Sequence, residues 1–324
     1  MAALEAEGLS VEELADLKGK PAIYHCISRV VDRRFVLGDA EREQFVAYMR
    51  IYERFCGVRV LAFCVMSNHF HILLEVPAPP EGRGEDWLDE RLLEHLTGLY
   101  SEAQMGKLRW ELGLYREQGN TEGAAAFRER YFRRMWDLSL FMKTLKQRFT
   151  SWFNRTHGRK GTLWEERFKS VLVEDGHAAR SMAAYIDLNP VRAEMVDDPK
   201  DYRWCSFGEA VAKVKRSREG LQRVMFEAGS AVMAGELAAE ELVSWQKAAY
   251  HYRQILYLAL NRDRASVDAE DAPQLSEAEA LMCRVRFMSD GAALGTKPFV
   301  ERVFHWRRDL FSEARKSGAR ILRG

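Results

Sequence analysis

Residues 58–76 read VRVLAFCVMSNHFHILLEV, and this stretch decides the fold. Val58 to Val65 is a run of apolar and β-branched residues, and His69 to Val76 is a second one. Only Met66-Ser67-Asn68 separates them, so the two runs are expected to pair as antiparallel strands across a tight turn. Upstream, Asp39 to about Cys56 is helical: Phe45, Met49 and Tyr52 fall at i, i+4 and i+7, one face of a helix. Gly57 is placed to end it. Before that helix, PAIYHCISRV (21–30) is rich in β-formers and reads as a first strand.

Downstream, PAPPEGRG (77–84) holds three of the chain's eight prolines and predicts a loop. Residues 86–135 are charged and helix-prone with weak apolar periodicity, which suggests an inserted helical section. A long helix follows over 137–156, then a fourth strand from Phe168 to Val173. Asp175 is placed to cap a helix running to Asn189, where Pro190 stops it. The order β, α, β, β, α, β and then helix is the ferredoxin-like split βαβ pattern, an α+β fold. Its antiparallel sheet is expected to carry helices on one face, leaving the other for a ligand or the terminal helix. From about residue 208 the signal is helical throughout. Ser276 and Glu279 form a capping box before Leu281, Asp290-Gly291 breaks that helix, and another begins near Lys297. The division expected is an extension (1–20), a catalytic-type domain (21–208, with a helical insertion at 81–136) and a helical C-terminal region (209–324).

The chain has 324 residues, with 49 Lys plus Arg against 48 Asp plus Glu and a net charge of +1. That balance excludes binding nucleic acid by bulk charge but leaves room for a local basic groove. With 47% apolar and 30% charged residues the chain is a folded one. No apolar run approaches the ~18 residues of a membrane span, so no membrane partner is expected. Glu5, Glu7, Glu12 and Glu13 near the N-terminus read against a secretory signal. Five scattered cysteines without a C-x-x-C pair read against a zinc ribbon or a disulfide scaffold and fit a reducing cytoplasm. The absence of G-x-x-x-x-G-K-[ST] removes support for ATP-driven chemistry.

Three features could carry chemistry. In a strand, His69 and His71 point to one face and Phe70 to the other, so the two imidazoles form a two-point metal clamp. The plainer reading is a histidine pair on a solvent-facing strand, and H-x-H alone favours it. Met182, Tyr185, Ile186 and Asn189 share a helix face, with Tyr185 and Asn189 one turn apart. A buried core tyrosine is the common case, but a carboxamide on an apolar stripe needs a polar partner. Finally, residues 143–169 gather Lys143, Lys146, Arg148, Arg155, Arg159, Lys160, Arg167 and Lys169 against only Glu165 and Glu166. Phe149, Trp152, Phe153, Trp164 and Phe168 lie among them. Cations for phosphates and rings for unpaired bases suit single-stranded DNA. The bland alternative is a solvated helix whose rings are core.

Together these features resemble the HUH single-strand transposases, in particular the REP-associated tyrosine transposases. The matching stretches, in order, are YHCISR (24–29), VMSNHFHILLE (65–75), FNRTHGRKGTLWEERFKS (153–170), YIDLNPVRAEMV (185–196) and DYRWCSF (201–207). The resemblance implies that His69 and His71 bind a divalent ion, that Asn189 completes the metal site and that Tyr185 is the nucleophile. It implies cleavage and rejoining of single-stranded DNA through a 5′-phosphotyrosine, on a hairpin or inverted repeat, by a monomer or a homodimer. Imidazole, carboxamide and water ligands admit Mg²⁺ or Mn²⁺. The chain departs from the family at Val30, where a glycine often stands, and at the insertion. The alternatives are a non-catalytic repeat-hairpin binder, a hydrolase using the histidines and water, and, for the C-terminal region alone, a helix-turn-helix or a plain helical hairpin.

Overall fold

The computed structural model describes residues 21–80, 87, 89–226, 244–264, 291–313 and 317, with side chains of the 244–264 segment described as far as Tyr257. The N-terminal half opens with β1 (Ala22–Arg29), α1 (Asp39–Cys56), β2 (Arg59–Val65) and β3 (His69–Val76). Three insertion helices follow: α2 (Asp89–Leu96), α3 (Glu102–Glu117) and α4 (Thr121–Phe132). Then come α5 (Leu138–Thr156), β4 (Lys169–Val173), α6 (His177–Asp187), α7 (Asn189–Arg192), α8 (Ser206–Val211) and α9 (Lys215–Met225). The C-terminal part holds α10 (Trp245–Arg264), β5 (Ala293–Leu294) and α11 (Lys297–Trp306).

The sheet runs β2-β3-β1-β4-β5. Its first four strands pair antiparallel in the expected split βαβ arrangement. β5 corrects the reading of the C-terminal region as all-helical, because it adds parallel to β4, Leu172 against Ala293 and Val173 against Leu294. Two residues carry no periodicity, so such a strand leaves no trace in sequence. The sheet is therefore mixed.

Alternation along β3 sorts the two faces. Phe70, Ile72 and Leu74 point one way, and Phe70 packs against Phe45 of α1 (ring centroids 4.5 Å) and Trp164 (5.3 Å). Phe149 of α5 closes the same cluster. His69, His71, Leu73 and Glu75 point the other way, where α6 and α9 pack. Helices therefore cover both faces, not one. This explains why β2 and β3 are buried almost end to end and read as continuous apolar runs. Gly57 ends α1 in the left-handed region (φ 64°), as expected.

α9 lies close enough to β2 to require a glycine. A Cβ on Gly220 would sit 2.6 Å from the Val60 carbonyl oxygen and 2.7 Å from that of Leu61. Backbone at a strand cannot step aside. Gly220→Ala should therefore destabilise by about 1–3 kcal/mol through overpacking, against the gain of about 1 kcal/mol that the swap brings an exposed helix. Urea unfolding measures the sign directly, and a stabilised variant would refute the close approach.

Two helix ends differ from expectation. Asp175 does not cap α6, whose N-cap is Gly176 without a side-chain bond. The Asp175 carboxylate instead takes two hydrogen bonds from Arg223 of α9, 3.1 and 2.6 Å long. At the other end α6 stops at Asp187, and after Leu188 the chain turns once more through α7. Pro190 stands in the first turn of α7, where its missing N–H costs nothing, so it restarts a helix rather than only ending one.

The insertion packs against the C-terminal end of α1. His95 donates through Nε2 to the Phe55 carbonyl (2.9 Å), and Arg116 and Arg128 both donate to buried Asp89 at 2.8 Å. Of the suggested C-terminal helix pair, the member beginning at Ser276 lies outside the described residues. The member near Lys297 is α11, capped by Thr296. Its Val303 and Phe304 cluster with Phe311, and Leu172 and Ala293 of the sheet edge pack against them. Among the described residues no helix is long and apolar enough to cross a membrane.

Candidate metal and nucleophile site

The second face of β3 carries the histidine pair. In the β1–β3 register Arg29 lies opposite His69 and Ile27 opposite His71. His71 is 2% exposed and His69 partly exposed, with ring centroids 5.0 Å apart. Burial, then the neighbouring His69, His25, Arg192 and Arg29, holds His71 well below the ordinary imidazole pKa. Its neutral form, the one that can ligate a metal, is therefore favoured.

The ring orientation of His69 follows from its neighbour. Asn68 donates through Nδ2 to the Arg33 carbonyl (2.9 Å), which turns its Oδ1 toward His69 Nδ1 at 2.7 Å. An amide oxygen only accepts, so Nδ1 carries the proton and Nε2 keeps its lone pair. This is the outer-shell support that metal-binding imidazoles characteristically have. His71 makes an analogous contact through Nδ1, 2.9 Å from Nε2 of His25 on β1. Their rings are 8° from parallel with centroids 5.1 Å apart, so they lie side by side in nearly one plane, joined by that contact.

α6 sets Tyr185 on the same face. Its ring meets His71 edge-on at 6.0 Å and His25 at 6.4 Å. Tyr185 is 5% exposed. The Arg192 guanidinium lies 4.1 Å over the Tyr185 ring, and its Nη2 donates to the Tyr185 carbonyl at 2.6 Å.

Asn189 shows where a carboxamide on an apolar stripe finds its partner. Pro190 has no N–H to offer the Ile186 carbonyl four residues back. Asn189 Nδ2 bonds that carbonyl (3.2 Å) and the Tyr185 carbonyl (3.1 Å). The backbone supplies the partner, at the nitrogen end of the carboxamide. Among the described residues no cluster of three or more His, Cys, Asp or Glu is arranged to hold a metal. By donor chemistry alone, two imidazoles and one carboxamide oxygen suit a hard divalent ion completed by water better than a closed zinc site.

The basic stretch divides. Lys143, Arg148, Arg155, Lys160, Arg167 and Lys169 are exposed, and Arg159 is partly exposed. Lys146 is not surface charge: it is buried, donates to the Glu166 carbonyl at 2.8 Å and is pushed down to a pKa of about 8 by burial. Phe149, Phe153 and Trp164 are core, while Trp152 and Phe168 are only partly buried. The cluster nonetheless borders a cleft of about 870 Å³ lined by Lys143, Gln147, Trp164, Arg167 and Phe168. This cleft belongs to α5, on the face of the sheet opposite the histidines, so the basic groove and the histidine pair are separated by the sheet. The stretch reaches the histidine face only where the chain rounds the sheet into β4. Lys169 pairs with Ile27, which pairs with His71, so the three stand in one row.

Three site residues escaped the sequence reading. His25 and Arg29 sit in YHCISR at period two, but their meeting with His71 and His69 depends on strand register. Arg192 lies seven residues beyond Tyr185, two helical turns on, a spacing that could have pointed to it.

Residues 20–81 match the model of the family described as Transposase IS200 like. This segment is similar to IS200-like transposase sequence. The IS200-like match spans β1 to β3 and so contains His25, His69 and His71, but neither Tyr185 nor Asn189. No curated protein matches the chain. Among solved structures, one described as the REP-associated tyrosine transposase bound to a REP hairpin is similar at 16% identity. It covers 60% of this chain and 81% of that one, with a TM-score of 0.35. At that score a residue of one backbone cannot stand for a residue of the other.

Proposed function

We propose that this chain cleaves and rejoins single-stranded DNA, with Tyr185 as nucleophile and with His69, His71 and Asn189 as the ligands of a divalent ion, Mg²⁺ or Mn²⁺. One observation carries the reading. A tyrosine from outside the IS200-like segment lies edge-on to the buried histidine of that segment, 6.0 Å away.

An ordinary phenol, with a pKa of about 10, is a weak nucleophile at neutral pH. Its reaction with a phosphodiester forms the Tyr185 Oη–P bond and breaks the P–O3′ bond. The phenol proton is lost and the departing oxygen leaves as a 3′-hydroxyl. The covalent ester keeps the bond energy, so the reverse reaction rejoins the strand without ATP. When bound, the ion supplies Lewis-acid polarisation of the scissile phosphate. Asn68 holds the His69 lone pair in place, and Arg29 stands across from His69 as a cation for the flanking phosphate. Arg192 fixes the backbone and ring of Tyr185. The low exposure of Tyr185, 5%, favours a second reading, a non-catalytic hairpin-binding protein.

Incubating the full chain with a single-stranded hairpin oligonucleotide and Mn²⁺ tests the two. A denaturation-resistant protein–DNA adduct, lost with EDTA, supports the first reading. Cleavage without an adduct points to water as nucleophile, and binding without cleavage points to the second reading.

DNA affinity has its own test. Lys143→Ala and Arg167→Ala should each weaken binding and flatten the log–log salt dependence by about 0.7, the value for one phosphate contact on a single strand. Lys146→Met should leave that slope unchanged, because its ammonium is bonded within the protein. Equal slopes for all three variants would remove the α5 cleft from the DNA path.

A further inference from the structure

His25 is fully buried, and neither the sequence reading nor the proposed chemistry gives it a task. We infer that His25 is a positioning residue for the histidine pair: its Nε2 accepts a hydrogen bond from Nδ1–H of His71 and thereby fixes the tautomer that directs the His71 Nε2 lone pair into the site. This rests on the reading of His69 and His71 as metal ligands.

The geometry leaves two arrangements of one proton. The 2.9 Å contact joins Nε2 of His25 to Nδ1 of His71, so one nitrogen donates and the other accepts. If His25 donates, a neutral His71 carries its proton on Nε2 and has no lone pair left for a metal. If His25 accepts, His71 is the Nδ1–H tautomer and its Nε2 is a ligand. The second arrangement makes the pair consistent, since Asn68 already imposes Nδ1–H on His69. Each member of H-x-H then has its own acceptor, a carboxamide oxygen for His69 and an imidazole nitrogen for His71.

The near-coplanarity of the bonded rings adds a constraint on aim. With the rings 8° from parallel, His25 restricts rotation of His71 about its Cβ–Cγ bond as well as its protonation. Cβ atoms of β1 and β3 are held by the antiparallel ladder, which pairs His25 with Leu73 and Ile27 with His71. His25 is not a third ligand: its Nε2 is engaged with His71, and the described residues contain no three-membered His, Cys, Asp or Glu group suited to a metal. Outer-shell partners of this kind change metal affinity by about 10- to 100-fold when removed.

The experiment has two arms on the full chain. In the metal-free wild type, ¹⁵N-detected imidazole correlations, assigned with His71→Gln, should report His71 as Nδ1–H. An Nε2–H tautomer would overturn the inference. In the second arm free Mn²⁺ is titrated and read by EPR. His25→Phe, which keeps a ring but cannot accept, should bind Mn²⁺ about 10- to 100-fold more weakly. His25→Gln, whose amide oxygen accepts, should recover most of that loss. His25→Phe binding Mn²⁺ like the wild type would overturn the inference, as would a His25→Gln variant no better than His25→Phe. A wild type that binds no Mn²⁺ refutes the metal reading itself, and the tautomer arm then still decides the His25–His71 bond.

Discussion

Tyr185→Phe should form no covalent adduct with hairpin DNA, a loss of at least about a thousandfold in cleavage, because no other atom at the position can accept the strand. The substitution removes one oxygen and nothing else. The ring that meets His25, His71 and Arg192 is retained, so the packing of α6 on the sheet is preserved. DNA affinity should stay within about twofold of the wild type, since phosphate contacts set it. The readout is a denaturing gel with labelled DNA at matched binding saturation. An adduct formed by the Phe variant at the wild-type rate would move the nucleophile elsewhere. His69→Ala and His71→Ala should lower cleavage with binding retained, whereas a loss of binding alone would refute the metal role.

Arg223→Met should cost about 3–5 kcal/mol of stability, the range for breaking one partner out of a buried ion pair. Arg223 donates through Nε to Glu75 at 2.8 Å, and its side chain is 5% exposed against 1% for Glu75. The same guanidinium holds Asp175 at the entrance to α6. Without it, Glu75 keeps only Arg59, whose nearest nitrogen is 3.6 Å away. A carboxylate in that position faces its desolvation cost almost alone. Glu75→Leu in the Arg223→Met background should restore most of the loss, because an apolar pair removes the buried charge altogether. Urea midpoints of the four proteins give the coupling. A loss in Arg223→Met below about 1 kcal/mol would show that the pair is solvated. Cleavage should fall along with stability, since this clamp ties the strand of the histidines to the helix of the tyrosine.

Much of the fold was readable because its signals are local. The 58–76 hairpin, the α1 face of Phe45, Met49 and Tyr52, and the αL end at Gly57 each follow from spacing within a few residues. His69 and His71 were equally visible, since two residues apart in a strand means one face. What was hidden depends on register or on crossing the sheet. His25 meets His71 only because Ile27 is its cross-strand partner. The basic stretch looked like one surface, yet Lys146 is buried and α5 lies across the sheet from the histidines. Charge count along a chain carries no information about which side of a sheet it lands on. Asn189 was recognised as needing a partner, but its partners are the Tyr185 and Ile186 carbonyls of the preceding helical turn. The pairing of Asp175 with Arg223 joins residues 48 positions apart, beyond any capping pattern.

β5 is only two residues long, but it changes what the last third of the chain means for handling the protein. Through it Leu172 N–H bonds the Ala292 carbonyl at 3.0 Å and Glu174 N–H bonds that of Leu294 at 2.8 Å. Cutting the chain at 208 would pass through α8 and strip these partners from β4, leaving a bare strand edge beside Leu172. Such edges recruit strands from other molecules. A trimmed version made to isolate the HUH-like portion would thus be prone to self-association, and a higher oligomer seen with it would report the missing strand and not the native assembly.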